Sequence, residues 1–175
     1  MKRVLSLSIL LAVLAAGCED NQNPTTSSSD SLTTVHTFVA QLSPAGEVPP
    51  VTNAQSGGSG TMTMTFILAR NEAGAVNSAS VRFDGTFSGF PPGMSLTGAH
   101  IHTGAAGVVG PVLVSTGITS GQVTLPDGTG TLQTGWLVVP VATANAIIGN
   151  PSAYYFNIHT TLNPGGVARG QLMAQ

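Results

Sequence analysis

Three histidines carry most of the chemistry this sequence can offer. His100 and His102 stand one residue apart in Gly98-Ala-His-Ile-His-Thr103, and His159 lies in the run Tyr154-Tyr-Phe-Asn-Ile-His-Thr160. Neutral imidazole nitrogens bind zinc and copper well, and a fixed site needs three or four such ligands to converge. Alternate side chains of a β-strand share a face, so His100 and His102 stand side by side, roughly 6.5–7 Å apart along the backbone. Ile101 then turns into apolar packing. By the same rule Tyr155 and Asn157 share the face of His159, opposite Tyr154, Phe156 and Ile158. Two polar-faced strands in a chain with 7% charged residues are best placed against each other, where their groups satisfy one another. That arrangement predicts a zinc or copper site of His100, His102 and His159. The structural alternative has these histidines bracing the glycine-rich stretch 104–110 through hydrogen bonds to backbone carbonyls. A third use is a small-ligand pocket lined by His102 with Asn157 or Tyr155. His36, the fourth histidine, reads as an exposed residue near the domain edge.

Other reactive patterns are missing. Cys18 is the single cysteine, and the serines sit in turns without the Gly-x-Ser-x-Gly setting of a nucleophile elbow. Paired carboxylates for sugar hydrolysis would have to come from Glu47, Glu72, Asp84 and Asp127, of which Glu72 and Asp127 fall in solvated turns. The glycines after His102 lack the helix and lysine of a phosphate cradle. Lys and Arg together number five, two of them at Lys2 and Arg3, and the net charge is -2. No basic surface remains to grip nucleic acid. The expectation is a protein that is not an enzyme.

The elements that must position the histidines are strands. Gly 22 and Pro 11, with abundant Thr, Val and Ser, suit short strands and tight turns. In residues 60–68 Met62, Met64, Phe66 and Leu68 alternate with Thr61, Thr63 and Thr65, which predicts a strand with its methionines and phenylalanine facing in. Phe38, Ala40 and Leu42 form a similar face. Residues 75–83 read as the returning strand, and Asp84-Gly85 and Pro91-Pro92-Gly93 as turns. Pro126-Asp-Gly128 signals a hairpin. Residues 140–148 form the one plausible helix, with Pro140 suited to its first turn and Gly149-Asn150-Pro151 to stop it. The last strands are expected at 153–161 and 167–173. The fold class is all-β: an antiparallel, Greek-key-like sandwich or barrel with one short helix.

Ahead of this domain, residues 1–17 read as a signal peptide. Lys2-Arg3 precedes an apolar run too short to span a bilayer comfortably. Leu14-Ala-Ala-Gly-Cys18 resembles the bacterial lipobox, which implies lipidation of Cys18 and explains an odd thiol in an exported protein. Residues 18–34 are polar, cannot bury enough surface to order themselves, and form a flexible tether. Residues 35–175 then make one domain, large enough for a core without disulfides.

Four motifs across that domain resemble a known family. Phe38-Val-Ala-Gln-Leu42 with Glu47-Val-Pro-Pro50, then Ala99-His-Ile-His102 with Gly110-Pro111, Phe156-Asn-Ile-His-Thr160 and Arg169-Gly-Gln-Leu172 are similar to the CHRD domain. That domain is named for chordin, the extracellular antagonist of bone morphogenetic proteins, and also occurs in bacterial exported proteins. The resemblance implies a β-rich extracellular module without catalytic activity. Gly166-Val-Ala-Arg169 departs from the family, which more often has an acidic and an aliphatic residue before the arginine. Glu47 and Arg169, at motif positions in a chain poor in charge, are expected to pair, or to bind neighbouring backbone, where the first and last strands meet. A weaker resemblance runs to copper-zinc superoxide dismutase, a Greek-key barrel with a His-x-His strand and a late arginine. Here Arg169 would be the counterpart, but that family's His-rich zinc loop and disulfide are missing. The expected function is an exported, membrane-anchored, non-catalytic binding or scaffold module. The alternative is a copper- or zinc-binding protein. Its partners would be the membrane, through the N-terminal lipid, and a protein or small ligand.

Overall fold

The computed structural model describes residues 32–175. The expected signal peptide, Cys18 and nearly all of the expected tether lie outside them. Thr33 and Thr34, at the end of the expected tether, already belong to the first strand.

Two antiparallel sheets make a β-sandwich. The larger takes in β1 (Thr33–Leu42), β2 (Ser59–Arg70), β3 (Val76–Ser88), β8 (Gly130–Gln133), β9 (Leu137–Val138) and β12 (Met173–Ala174), in the order β12-β1-β2-β3-β8 with β9 also on β3. The smaller runs β11 (Ala168–Gln171), β10 (Tyr154–His159), β5 (Gly98–Thr103), β6 (Val112–Ser115). A two-stranded patch of β4 (Met94–Ser95) and β7 (Thr124–Leu125) pairs separately. The single α-helix among the described residues, α1 (Val141–Gly149), buries Ala144 and Ile147 and packs on β3.

Side-chain alternation decides which faces meet. Phe38, Ala40 and Leu42 of β1, and Met62, Met64, Phe66 and Leu68 of β2, are all buried, as their period of two predicts. From the smaller sheet Ala99, Ile101, Phe156 and Ile158 join the same core. Phe83 of β3 and Phe156 of β10 meet across the two sheets with ring centroids 5.7 Å apart. The sheets are joined at one corner, where Ser43 and Arg169 exchange two backbone hydrogen bonds of 3.1 Å.

Several local expectations are corrected. Asp84-Gly85 is not a turn, since both residues lie inside β3, which continues to Ser88. Gly85 is there for space: a Cβ at this position would run into the Met62 side chain on the neighbouring strand. Pro126-Asp-Gly128 does make a tight turn, with the Gly128 N–H donating to the Leu125 carbonyl at 3.1 Å. The strands on either side of it nevertheless pair elsewhere, β7 with β4 and β8 with β3. The expected last strand divides at Leu172, so that β11 belongs to the smaller sheet and β12 to the larger. His36 is half-buried in β1 opposite Phe66, not exposed.

Candidate metal centre

β5 and β10 are direct neighbours, and their register sets the site. His100 lies opposite Asn157, His102 opposite Tyr155, and Gly98 opposite His159. The inward residues of both strands enter the core, so these polar residues occupy the other face of the sheet. His102, Tyr155, Asn157 and His159 are buried all the same and His100 is half-buried, because loops cover that face. His102 is 7% exposed, His159 9% and Asn157 1%.

The three rings converge. Centroids are 4.9 Å apart for His100 and His159, 5.7 Å for His100 and His102, and 5.8 Å for His102 and His159. One nitrogen from each lies within 4.8 Å of the others. Gly98 makes this possible: a Cβ there would come within 2.9 Å of the His100 ring, opposite His159. The sequence shows that glycine plainly, but its use is visible only once the register is known.

Backbone carbonyls fix two of the rings. His102 Nδ1 lies 2.9 Å from the Gly110 carbonyl, and His159 Nδ1 lies 3.0 Å from the Pro164 carbonyl. A carbonyl only accepts, so both Nδ1 atoms must carry the hydrogen, which leaves each Nε2 with a bare lone pair. Both Nε2 atoms are buried without a partner, as is His100 Nδ1. Outer carbonyls that set the tautomer and aim of an imidazole are the usual support of metal-bound histidines. The bracing role and the ligand role use different atoms of the same rings.

Electrostatics keep these rings neutral. Burial first, and then the neighbouring His159 and His102, push the His100 pKa from 6.5 down to about 4. Burial also lowers His102, against the opposing pull of its Gly110 hydrogen bond. His159 is lowered by burial too, opposed by its bond to Pro164. Neutral imidazole is the form that binds a metal ion.

Three loops hold this face. The 104–110 loop is tied at one end by Arg169, which donates to the Ala105 carbonyl at 2.8 Å, and by Gln171, which donates to the Gly104 carbonyl at 3.0 Å. The 160–166 loop is locked to the 48–58 loop by Thr160 Oγ1 donating to Gln55 Oε1 at 2.8 Å and by Asn53 Nδ2 donating to Asn163 Oδ1 at 2.8 Å. The guanidinium of Arg169 lies 3.4 Å over the Tyr155 ring, and Tyr155 stacks on His102 at 4.9 Å with 13° between planes.

Glu47 and Arg169 are both buried near this point, at 7% and 3% exposure. The expected ion pair does not form: among the described residues the salt bridge is Arg82 to Asp84 at 2.8 Å. Arg169 instead takes the other expected course, binding backbone at Ala105 and the Gln171 side chain at 3.0 Å. Glu47 turns to Gly166 and the Asn157 amide, where a Cβ on Gly166 would strike its carboxyl. Burial raises the Glu47 pKa from 4.5 to about 7, with Arg169 and then Asn157 opposing the rise. Glu47 lines two clefts, of about 400 Å³ toward Ala106, Gly107 and Arg169 and about 310 Å³ toward residues 162–166. Glu72 and Asp127 are exposed in turns.

No curated protein and no solved structure matches the chain. A family model does match, over residues 38–172. It takes in His100, His102, His159, Glu47 and Arg169, and both sheets of the sandwich apart from β12 and the start of β1. The chain belongs to the CHRD domain family.

Proposed function

We propose that this protein is an exported, lipid-anchored binding module that holds one zinc or copper ion between His100, His102 and His159. Membership of a family of binding-type domains supports the non-catalytic part of this reading. The metal part is carried by one observation: two buried Nε2 lone pairs, each on a ring fixed by a carbonyl behind it, lie beside a third ring and receive no hydrogen bond. A buried acceptor without a partner costs about 1–3 kcal/mol, and a cation among the three removes that cost for all of them. Zinc ligands at about 2.0–2.1 Å stand roughly 3.3 Å from one another in a tetrahedral site, so modest ring rotation closes the set.

Titration of Zn²⁺ or Cu²⁺ into untagged protein tests this reading. One ion should bind per chain, with binding lost in His102→Ala and in His159→Ala but kept in His36→Ala. Absence of binding, or binding that survives both losses, would refute it.

A further inference from the structure

The three histidines leave a fourth tetrahedral position to be filled. Asn157 is placed at the middle of the polar face, opposite His100 on β5 and opposite Arg169 on β11, with His159 two residues further along its own strand. It is 1% exposed, and its Oδ1 is buried without a partner. Its Nδ2 lies on the side of Glu47, since a Cβ on Gly166 would be 2.7 Å from that nitrogen and in collision with the Glu47 carboxyl. An amide is planar, with nitrogen and oxygen on opposite sides, so the oxygen is left for the other side. In the β5–β10 register Asn157 lies directly across from His100 and diagonally across from His102, whose own partner is Tyr155. His102 Nε2, His159 Nε2, His100 Nδ1 and Asn157 Oδ1 are four buried atoms in one patch with no hydrogen-bond partner for any of them.

We propose that Asn157 Oδ1 is the fourth ligand, closing the centre as a four-coordinate site of three nitrogens and one oxygen that retains zinc. This inference rests on the three-histidine reading. Structural zinc sites fill all four positions from the protein, whereas catalytic ones keep one for water. A set of three imidazoles and an amide oxygen contains no thiolate or thioether to favour copper(I), and its tetrahedral form suits zinc better than the tetragonal copper(II) ion. The Glu47 carboxyl lies on the nitrogen side of the amide, beside Gly166, with its own Oε1 also buried and without a partner. The centre therefore stores a structural ion joining β5, β10 and the loops gripped by His102 and His159, and offers no metal-bound water.

Cobalt(II) in place of zinc gives a visible spectrum that reports an exchangeable ligand. Azide added to the cobalt-loaded wild-type protein should leave the spectrum unchanged. In Asn157→Ala a water takes the vacated position, so azide should shift the bands, and zinc affinity should fall roughly 100-fold. Asn157→Asp keeps an oxygen ligand and should stay silent to azide, and it provides the control if the alanine variant does not fold. Azide shifting the wild-type bands, or an alanine variant as silent and as tight as wild type, would overturn the fourth ligand while leaving the three histidines standing. Failure of cobalt and zinc to bind the wild type would overturn both.

Discussion

At the scale of single residues, the polar face of β5 and β10 is governed by desolvation. Burial holds His100 near a pKa of about 4 and lowers its two neighbours. A proton then competes with a metal ion less well than at a free imidazole of about 6.5. Thermal melts with and without Zn²⁺ should show the metal's stabilising shift persisting at pH 6 and fading toward pH 4. A shift already gone at pH 6.5 would contradict the desolvated site. Glu47 moves the opposite way. Its folded pKa of about 7 lies above the ordinary 4.5, so its contribution is fully present below pH 4.5 and is lost as the pH rises through 7. For the metal-free protein, Glu47→Gln should gain on wild type between pH 4.5 and pH 8 by about 3 kcal/mol, read from urea unfolding at the two pH values. A pH-independent difference would show that the carboxyl is not desolvated.

At the scale of elements, the site is a product of register. The period of two puts His100 and His102 on one face from sequence alone, and puts Tyr155, Asn157 and His159 on one face in the same way. What periodicity does not contain is the pairing of β5 with β10, which lie far apart in the chain, or the alignment of Gly98 with His159. Ion pairing of Glu47 with Arg169 failed as an expectation for a related reason. Charge complementarity was legible, but the competing carbonyl of Ala105 and the face of Tyr155 belong to segments brought in by topology. The misread turn at Asp84-Gly85 has the same origin, because a glycine demanded by a methionine on the next strand resembles a glycine demanded by a bend. The carbonyls behind the histidines are also set by loops. A Cβ at Gly110 would collide with the Thr103 carbonyl, so Gly110→Ala should pull its own carbonyl away from His102 and weaken metal binding roughly 10–100-fold. Gly135→Ala, where the space is open, should leave binding unchanged. Equal affinities in the two variants would remove the Gly110 carbonyl from the site's support.

At the scale of the whole molecule, a β-sandwich supplies two well-packed inner faces and leaves one outer face to carry the proposed site. Three loops cover that outer face, and Val108 and Val109 of one of them are exposed. The proposed lipid anchor at Cys18 would keep this domain at a membrane surface on a polar leash, and several acyl chains hold far more firmly than one. Cys18→Ala should shift the protein from the membrane to the soluble fraction and change its N-terminal mass. An unchanged distribution and mass would exclude lipidation. The fold's polar face stands or falls as a metal site on the convergence of His100, His102 and His159 around one ion. Its most direct measurement is anomalous diffraction at the zinc absorption edge from crystals of zinc-loaded, untagged protein. A single ion should lie between the three rings, with nitrogen ligands at about 2.0–2.1 Å. Zinc located elsewhere, or no ion and the three rings unchanged, would contradict it.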